Sequence, residues 1–192
     1  MSDAPQTTLA DTLRRALFSA LRVSSFDEAG LLALPAERAS LDWAVWALPI
    51  GLPFWAAEFV AHDTVTKHLD NPPYLIASAA LFYTLGSLSL PGLAGVVAAV
   101  LGREAAFWRV AAALLWWNVG FMLLSAPATI ITGLHLLSDN AQIGVELAVG
   151  VWALVVSAWI LSRGLGLPGA LAGVLVLLDT ALSESLASWL WG

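Results

Sequence analysis

Long apolar runs constrain this chain more than any motif in it. Five of them, at about residues 41–61, 74–101, 105–134, 143–161 and 167–191, fill most of the sequence beyond residue 40. An α-helix rises about 1.5 Å per residue, so each run is long enough to cross a hydrocarbon layer about 30 Å thick. With 59% hydrophobic and 11% charged residues, the chain cannot clothe a water-facing exterior, for which about 25% charged residues is usual. The fold class expected is therefore all-α, a polytopic membrane bundle of five transmembrane helices preceded by an N-terminal amphipathic helix. Residues 1–40 form a cytoplasmic N-terminal segment and 41–192 the five-helix domain.

Prolines interrupt three of the runs. Pro49 and Pro53 bend the first, Pro91-Gly92 the second and Pro127 the third. The second and third exceed one simple span, and tilt, a kink or an interfacial extension absorbs the surplus. Orientation follows from the basic residues. Arg14, Arg15, Arg22 and Arg38 precede the first run, Arg103 and Arg109 flank the connection between the second and third, and Arg163 follows the fourth. Only Lys67 falls on the other side. That bias places the N-terminus in the cytoplasm and, with five spans, the C-terminus in the periplasm of a bacterial inner membrane. Cutting the second run at Pro91 into two crossings would move Arg103 and Arg109 to the side of Lys67, so six spans are rejected. Trp43, Trp108, Trp189 and Trp191 stand where an interfacial aromatic belt is expected.

Residues 1–7 are polar and lack the charged and apolar regions of a cleaved signal peptide. From Thr8, a candidate N-cap, Leu9, Leu13, Leu17 and Leu21 recur near helical spacing, while Asp11, Arg14, Arg15, Ser19 and Arg22 occupy the opposite side. Two readings stay open for this helix. It lies in the membrane interface with Arg14, Arg15 and Arg22 on anionic headgroups, or it packs on the bundle from the cytoplasm. A short second helix, 26–34, ends near Pro35.

An acid inside a transmembrane run costs a few kcal/mol on insertion scales and needs a reason. Asp179 stands near mid-depth in the fifth span, and Thr180, Ser183, Glu184 and Ser188 continue a polar side from it. The third span offers Asn118, Met122, Ser125, Thr129 and Thr132 at helical spacing. The expected pairing is Asp179 with the Asn118 amide, either as interhelical glue or as a site for proton or cation coupling. Gly169 and Gly173 form a GxxxG pair for close helix packing, within the bundle or against another subunit.

Other chemistry finds little footing. Cysteine is absent, which removes disulfides and thiolate ligands. His62, His68 and His135 fall in the predicted external connections near Glu58, Asp63, Asp70, Asp139 and Glu146. Their spacing matches no metal signature, and no histidine reaches mid-depth to hold a haem. No Gly-x-Ser-x-Gly elbow, His-Glu-x-x-His helix or phosphate-cradling glycine loop occurs, and Gly164-Leu165-Gly166 reads as a helix break. No enzyme activity, cofactor or metal is expected. A nucleic-acid partner is excluded for want of a basic stripe.

Leu21-Arg22 followed by Phe26, then Trp43 and Pro49, form an entry segment. Gly102-Arg103, Phe107-Trp108-Arg109, Trp116-Trp117-Asn118 and Pro127 mark the third run, and Gly164-Leu165-Gly166-Leu167 precede the last. In these residues the chain resembles the bacterial branch of the Yip-type five-span membrane domain family. The resemblance implies that topology. The acidic N-terminal motif of the eukaryotic members, which interact with small GTPases, is missing here. Two functions are expected in turn. The first is a non-catalytic scaffold or accessory subunit that binds lipid and the helices of another integral membrane protein or complex. The alternative is a small proton- or cation-coupled transporter using Asp179.

Overall fold

The computed structural model describes residues 9–61, 72–133 and 136–191, and among these all regular structure is helical. The helices are α1 (Leu9–Ser24), α2 (Glu28–Leu32), α3 (Ala39–Ala44), α4 (Ala47–Ala61), α5 (Pro72–Val100), α6 (Glu104–Gly133), α7 (Asp139–Leu165) and α8 (Gly169–Trp191). Four of them, α5 to α8, are long and apolar enough to cross a membrane, which makes the chain a helical membrane protein. Each of α5 and α6 runs unbroken through its proline. A proline in mid-helix lacks the N–H that would bond the carbonyl four residues back, so Pro91 frees the Ser87 carbonyl and Pro127 that of Leu123.

The first expected span, 41–61, is not one long helix. It divides into α3 and the 15-residue α4, and 15 residues reach only about 22 Å. Pro49 explains the break, because it has no N–H for the Val45 carbonyl. That carbonyl accepts instead from Leu48 N at 3.1 Å, and Pro49 falls in the first turn of α4, where a missing N–H costs nothing.

α6 is the hub, in contact with α1, α3, α4, α5 and α7. Every residue from Val110 to Trp117 is buried, so this stretch faces protein on all sides. Because lipid tails are as apolar as leucine, such packing is held by close van der Waals fit rather than by release of water. Small residues supply that fit. A Cβ on Gly120 would lie 3.0 Å from the Ala20 Cβ, and one on Gly164 would lie 2.2 Å from Val110 Cγ2.

α1 is docked into this core. Its buried face is Ala16, Ser19, Ala20 and Val23, spaced i, i+3, i+4, i+7, rather than the expected leucine row. Leu13 and Leu17 flank the contact, and Leu21 is exposed. The smaller side chains face α6 because they let the two backbones approach. The chain then reverses at Phe26, which adopts a left-handed φ of 59° at a cost of about 1–2 kcal/mol for a non-glycine residue. Its ring packs edge-on against Trp159, with centroids 5.9 Å apart. The Ser19 hydroxyl donates to the Gly30 carbonyl, fastening α2 along α1.

The arginines gather at one end of the bundle. Gly102 (φ 64°) closes α5, with Arg103 N bonded to Ala98 O at 2.8 Å, a Schellman cap. The Arg103 guanidinium donates to the Leu165 and Gly166 carbonyls, the latter at 3.0 Å. It thereby satisfies the C-terminal carbonyls of α7, where a cation also complements the helix dipole. Gly166 (φ 64°) needs its freedom twice over, since a Cβ there would sit 2.8 Å from Arg103 Nη1. Arg109 Nε donates to Leu34 O at 3.0 Å, and Arg163 pairs with Glu28 at 3.2 Å.

Candidate functional site: a polar cavity among four helices

Half-way along the four long helices lies a cavity of about 100 Å³. Its polar lining comes from each of them: Ser87 of α5, Trp117 and Asn118 of α6, Ser157 of α7, and Asp179 and Thr180 of α8. Pro91 lines it as well. Ser87 and Pro91 are both buried, so the carbonyl that Pro91 releases is an acceptor without its helical donor at the cavity's side. Antiparallel packing of α5 on α8 sets the register: Trp191 Nε1 donates to Ser78 Oγ at 3.1 Å near one end, and Asp179 meets Ser89 in the middle.

The expected partner of Asp179 was Asn118. Both line the cavity, yet the carboxylate accepts from the Ser89 hydroxyl, and the Asn118 side chain has no hydrogen-bond partner among the described residues. Ser89 Oγ also lies 3.0 Å from the Gly86 carbonyl. One hydroxyl hydrogen facing two acceptors gives two arrangements. With Asp179 ionised, Ser89 donates to the acid. With Asp179 protonated, the acid donates to Ser89, which donates on to Gly86. Ser157 accepts from Trp117 Nε1 at 3.2 Å, which leaves its own hydrogen to donate, while the Thr180 hydroxyl is taken by Val176 O at 3.0 Å. On the lipid side of the Ser89–Asp179 bond runs a groove of about 290 Å³ between α5 and α8, lined by Leu85, Gly86, Leu88, Ser89, Leu182, Ser183 and Leu186.

Sequence reading alone missed Ser87, Ser89 and Ser157. A usable signal stood at Pro91, because a mid-span proline with a serine four residues earlier marks where a backbone carbonyl is set free. In the rest of the expected α6 seam, Ser125 bonds to Met122 O at 3.3 Å, Thr129 to Ser125 O at 3.3 Å and Thr132 to Ala128 O at 3.1 Å.

Other expected sites fare differently. At Gly169 and Gly173 no atom outside the helix lies within 4 Å of an added Cβ. Among the described residues no neighbouring helix approaches them there, and α8 turns Ala172, Leu175 and Val176 inward. Arg14 and Arg15 are exposed, but Arg22 is engaged, its guanidinium 2.7 Å from the Asp27 carboxylate. His62, His68, His135, Asp63 and Asp70 lie outside the described residues, as does the side chain of Glu58. Among the described residues no group of three metal-ligating side chains occurs.

Compared with protein-family models, curated proteins and solved structures, the chain finds no match.

Proposed function

We propose that the chain is a bacterial inner-membrane protein that binds a proton or small monovalent cation at Asp179, as the coupling site of a small carrier. The observation that carries this reading is the convergence of α5, α6, α7 and α8 on one polar cavity beside a mid-membrane acid. An acid at that depth costs about 2.5–3.5 kcal/mol on insertion scales, and a single serine hydroxyl would suffice to satisfy it structurally. The further polar groups, the Asn118 amide and the Ser87 carbonyl that Pro91 deprives of its helical donor, go beyond what glue requires. Their oxygens are the kind of ligand that a small cation takes. A volume of about 100 Å³ has room for an ion or hydronium with a few waters.

The arginine bias supports a cytoplasmic N-terminus and a periplasmic C-terminus, with α3 and α4 together making the first crossing. A second reading, accessory subunit of a larger membrane complex, is favoured by the open Gly169 and Gly173 face, which accepts a foreign helix without clash.

Proteoliposomes holding the purified chain under an imposed proton or sodium gradient test both. The first reading expects uptake above empty vesicles, and Asp179→Asn should lower it at least tenfold while leaving thermal stability intact, since an amide still hydrogen-bonds Ser89. Uptake unchanged in Asp179→Asn overturns the assignment. No uptake by the wild type, together with stoichiometric co-migration of another membrane protein after gentle extraction, establishes the second reading.

A further inference from the structure

A second cavity, of about 200 Å³, lies at the arginine end between α1, α3 and α6. Its walls are largely apolar, with Ala33, Leu34, Trp43 and Trp116 among them, and Arg15 stands in its lining. No carboxylate lines it. Trp116 is only 2% exposed, and its indole N–H meets no acceptor among the described residues. A buried donor left unpaired costs about 1–3 kcal/mol, so an acceptor at this place would be stabilising. Arg15 is exposed and makes no ion pair among the described residues, in contrast to Arg22. Behind this wall Arg109 Nε holds the Leu34 carbonyl at 3.0 Å. Trp43, 40% exposed, gives the mouth the amphipathic ring usual at a membrane–water boundary.

We infer that this cavity is a binding site for an acidic phospholipid, which seats its anionic headgroup on Arg15, an ester carbonyl at the Trp116 indole and a stretch of acyl chain against Ala33 and Leu34. Charge complementarity selects the headgroup: the Arg15 guanidinium lines the cavity and no carboxylate does. Volume selects the depth of entry. About 200 Å³ is room for part of one chain, so the remainder of the lipid stays in the bilayer. The site differs from a general basic patch in a way that can be read out, because Arg14 is equally exposed on the same helix but does not line the cavity.

Native mass spectrometry of the full-length chain, released from mixed micelles holding equal phosphatidylglycerol and phosphatidylcholine, decides the matter. The wild type should retain one phosphatidylglycerol in preference to phosphatidylcholine. Arg15→Gln should reduce that retention about tenfold, as expected for loss of one charge-assisted hydrogen bond, and Arg14→Gln should leave it within twofold. Ala33→Leu, which fills the cavity at an exposed position, should reduce it without touching a charge. Equal losses in Arg14→Gln and Arg15→Gln, or equal retention of the two lipids, overturn the proposal. So does displacement of the phosphatidylglycerol by millimolar inorganic phosphate, which would make the occupant a soluble anion rather than a lipid.

Discussion

The two halves of α6 belong to the same helix, yet they live in different solvents. From Val110 to Trp117 each side chain is buried, enclosed by α1, α3, α5 and α7. Past Met122 the helix exposes Leu123, Leu124, Ile130 and Ile131. In the first half α1 and α3 stand where lipid otherwise would. In the second, the leucines and isoleucines remain at the surface. Burial in this protein is therefore decided by which neighbours surround a residue and not by its hydrophobicity, because to a leucine the lipid is as good a solvent as the core. What distinguishes the enclosed half is fit. Dense packing tolerates neither a void nor an added methyl group.

The largest effect should come from opening a void in one half and not in the other. Leu115 is 2% exposed and Leu124 41%, both on α6. Leu115→Ala should destabilise by about 2–5 kcal/mol, the usual cost of a buried leucine with its cavity. Leu124→Ala should cost a small fraction of that, since lipid or detergent fills the space. Reversible unfolding in mixed micelles measures both. Equal losses would show that the far half is as tightly enclosed, by a second copy or a partner, as the near half is by α1 and α3.

A smaller effect of opposite construction uses added volume. Gly164→Ala drives a methyl group to within 2.2 Å of Val110 Cγ2, and overpacking of this kind costs about 1–3 kcal/mol. Gly173→Ala meets nothing within 4 Å and should gain about 0.5–1 kcal/mol from lower backbone entropy in the unfolded helix. The same unfolding assay compares them. Destabilisation by Gly173→Ala would mean that the open face of α8 is occupied in the membrane.

These pairs also show where sequence could be read and where it could not. The long runs gave α5, α6, α7 and α8 because hydropathy over some twenty residues averages out local detail. The first run divides into α3 and α4 at Pro49, where a bend was expected; whether a missing N–H bends a helix or divides it depends on its place in the helical ladder. Asp179 was legible because a charge within an apolar run stands out, whatever it touches. Its partner was not, because Ser89 and Asn118 sit at equivalent depth on different helices, and only the packing of α5 against α8 chooses between them. The GxxxG pair meets nothing within 4 Å in the described structure, which leaves its packing against another subunit open. Small residues allow close approach but do not command it, and among the described residues the close approaches are at Gly30, Gly51, Gly95, Gly120, Gly164 and Gly166. On α1 the leucine row suggested the buried face, whereas Ala16, Ser19, Ala20 and Val23 occupy it.

The enclosed half depends on α1 and α2 staying docked, and the weakest test of that docking is electrostatic. Asp27 caps α2, accepting from Ala29 N at 2.9 Å, and its carboxylate holds the Arg22 guanidinium. The Ala29 N–H first, and Arg22 second, keep the Asp27 carboxyl below its ordinary pKa. A carboxyl lowered in this way contributes stability that is present above the ordinary carboxylate range and is lost as pH falls through the lowered value. Both side chains are about 40% exposed, so solvent and salt screen the pair and the effect is small. Asp27→Asn isolates the charge, because asparagine caps a helix about as well as aspartate. Hydrogen exchange at the α2 amides should show the wild type modestly better protected than Asp27→Asn at neutral pH. The difference should shrink in acid below the carboxylate range and in high salt. A difference that ignores both pH and salt would assign the docking of α2 wholly to the contacts of Gly30 with Ser19, Arg22 and Val23, and the enclosure of α6 to packing alone.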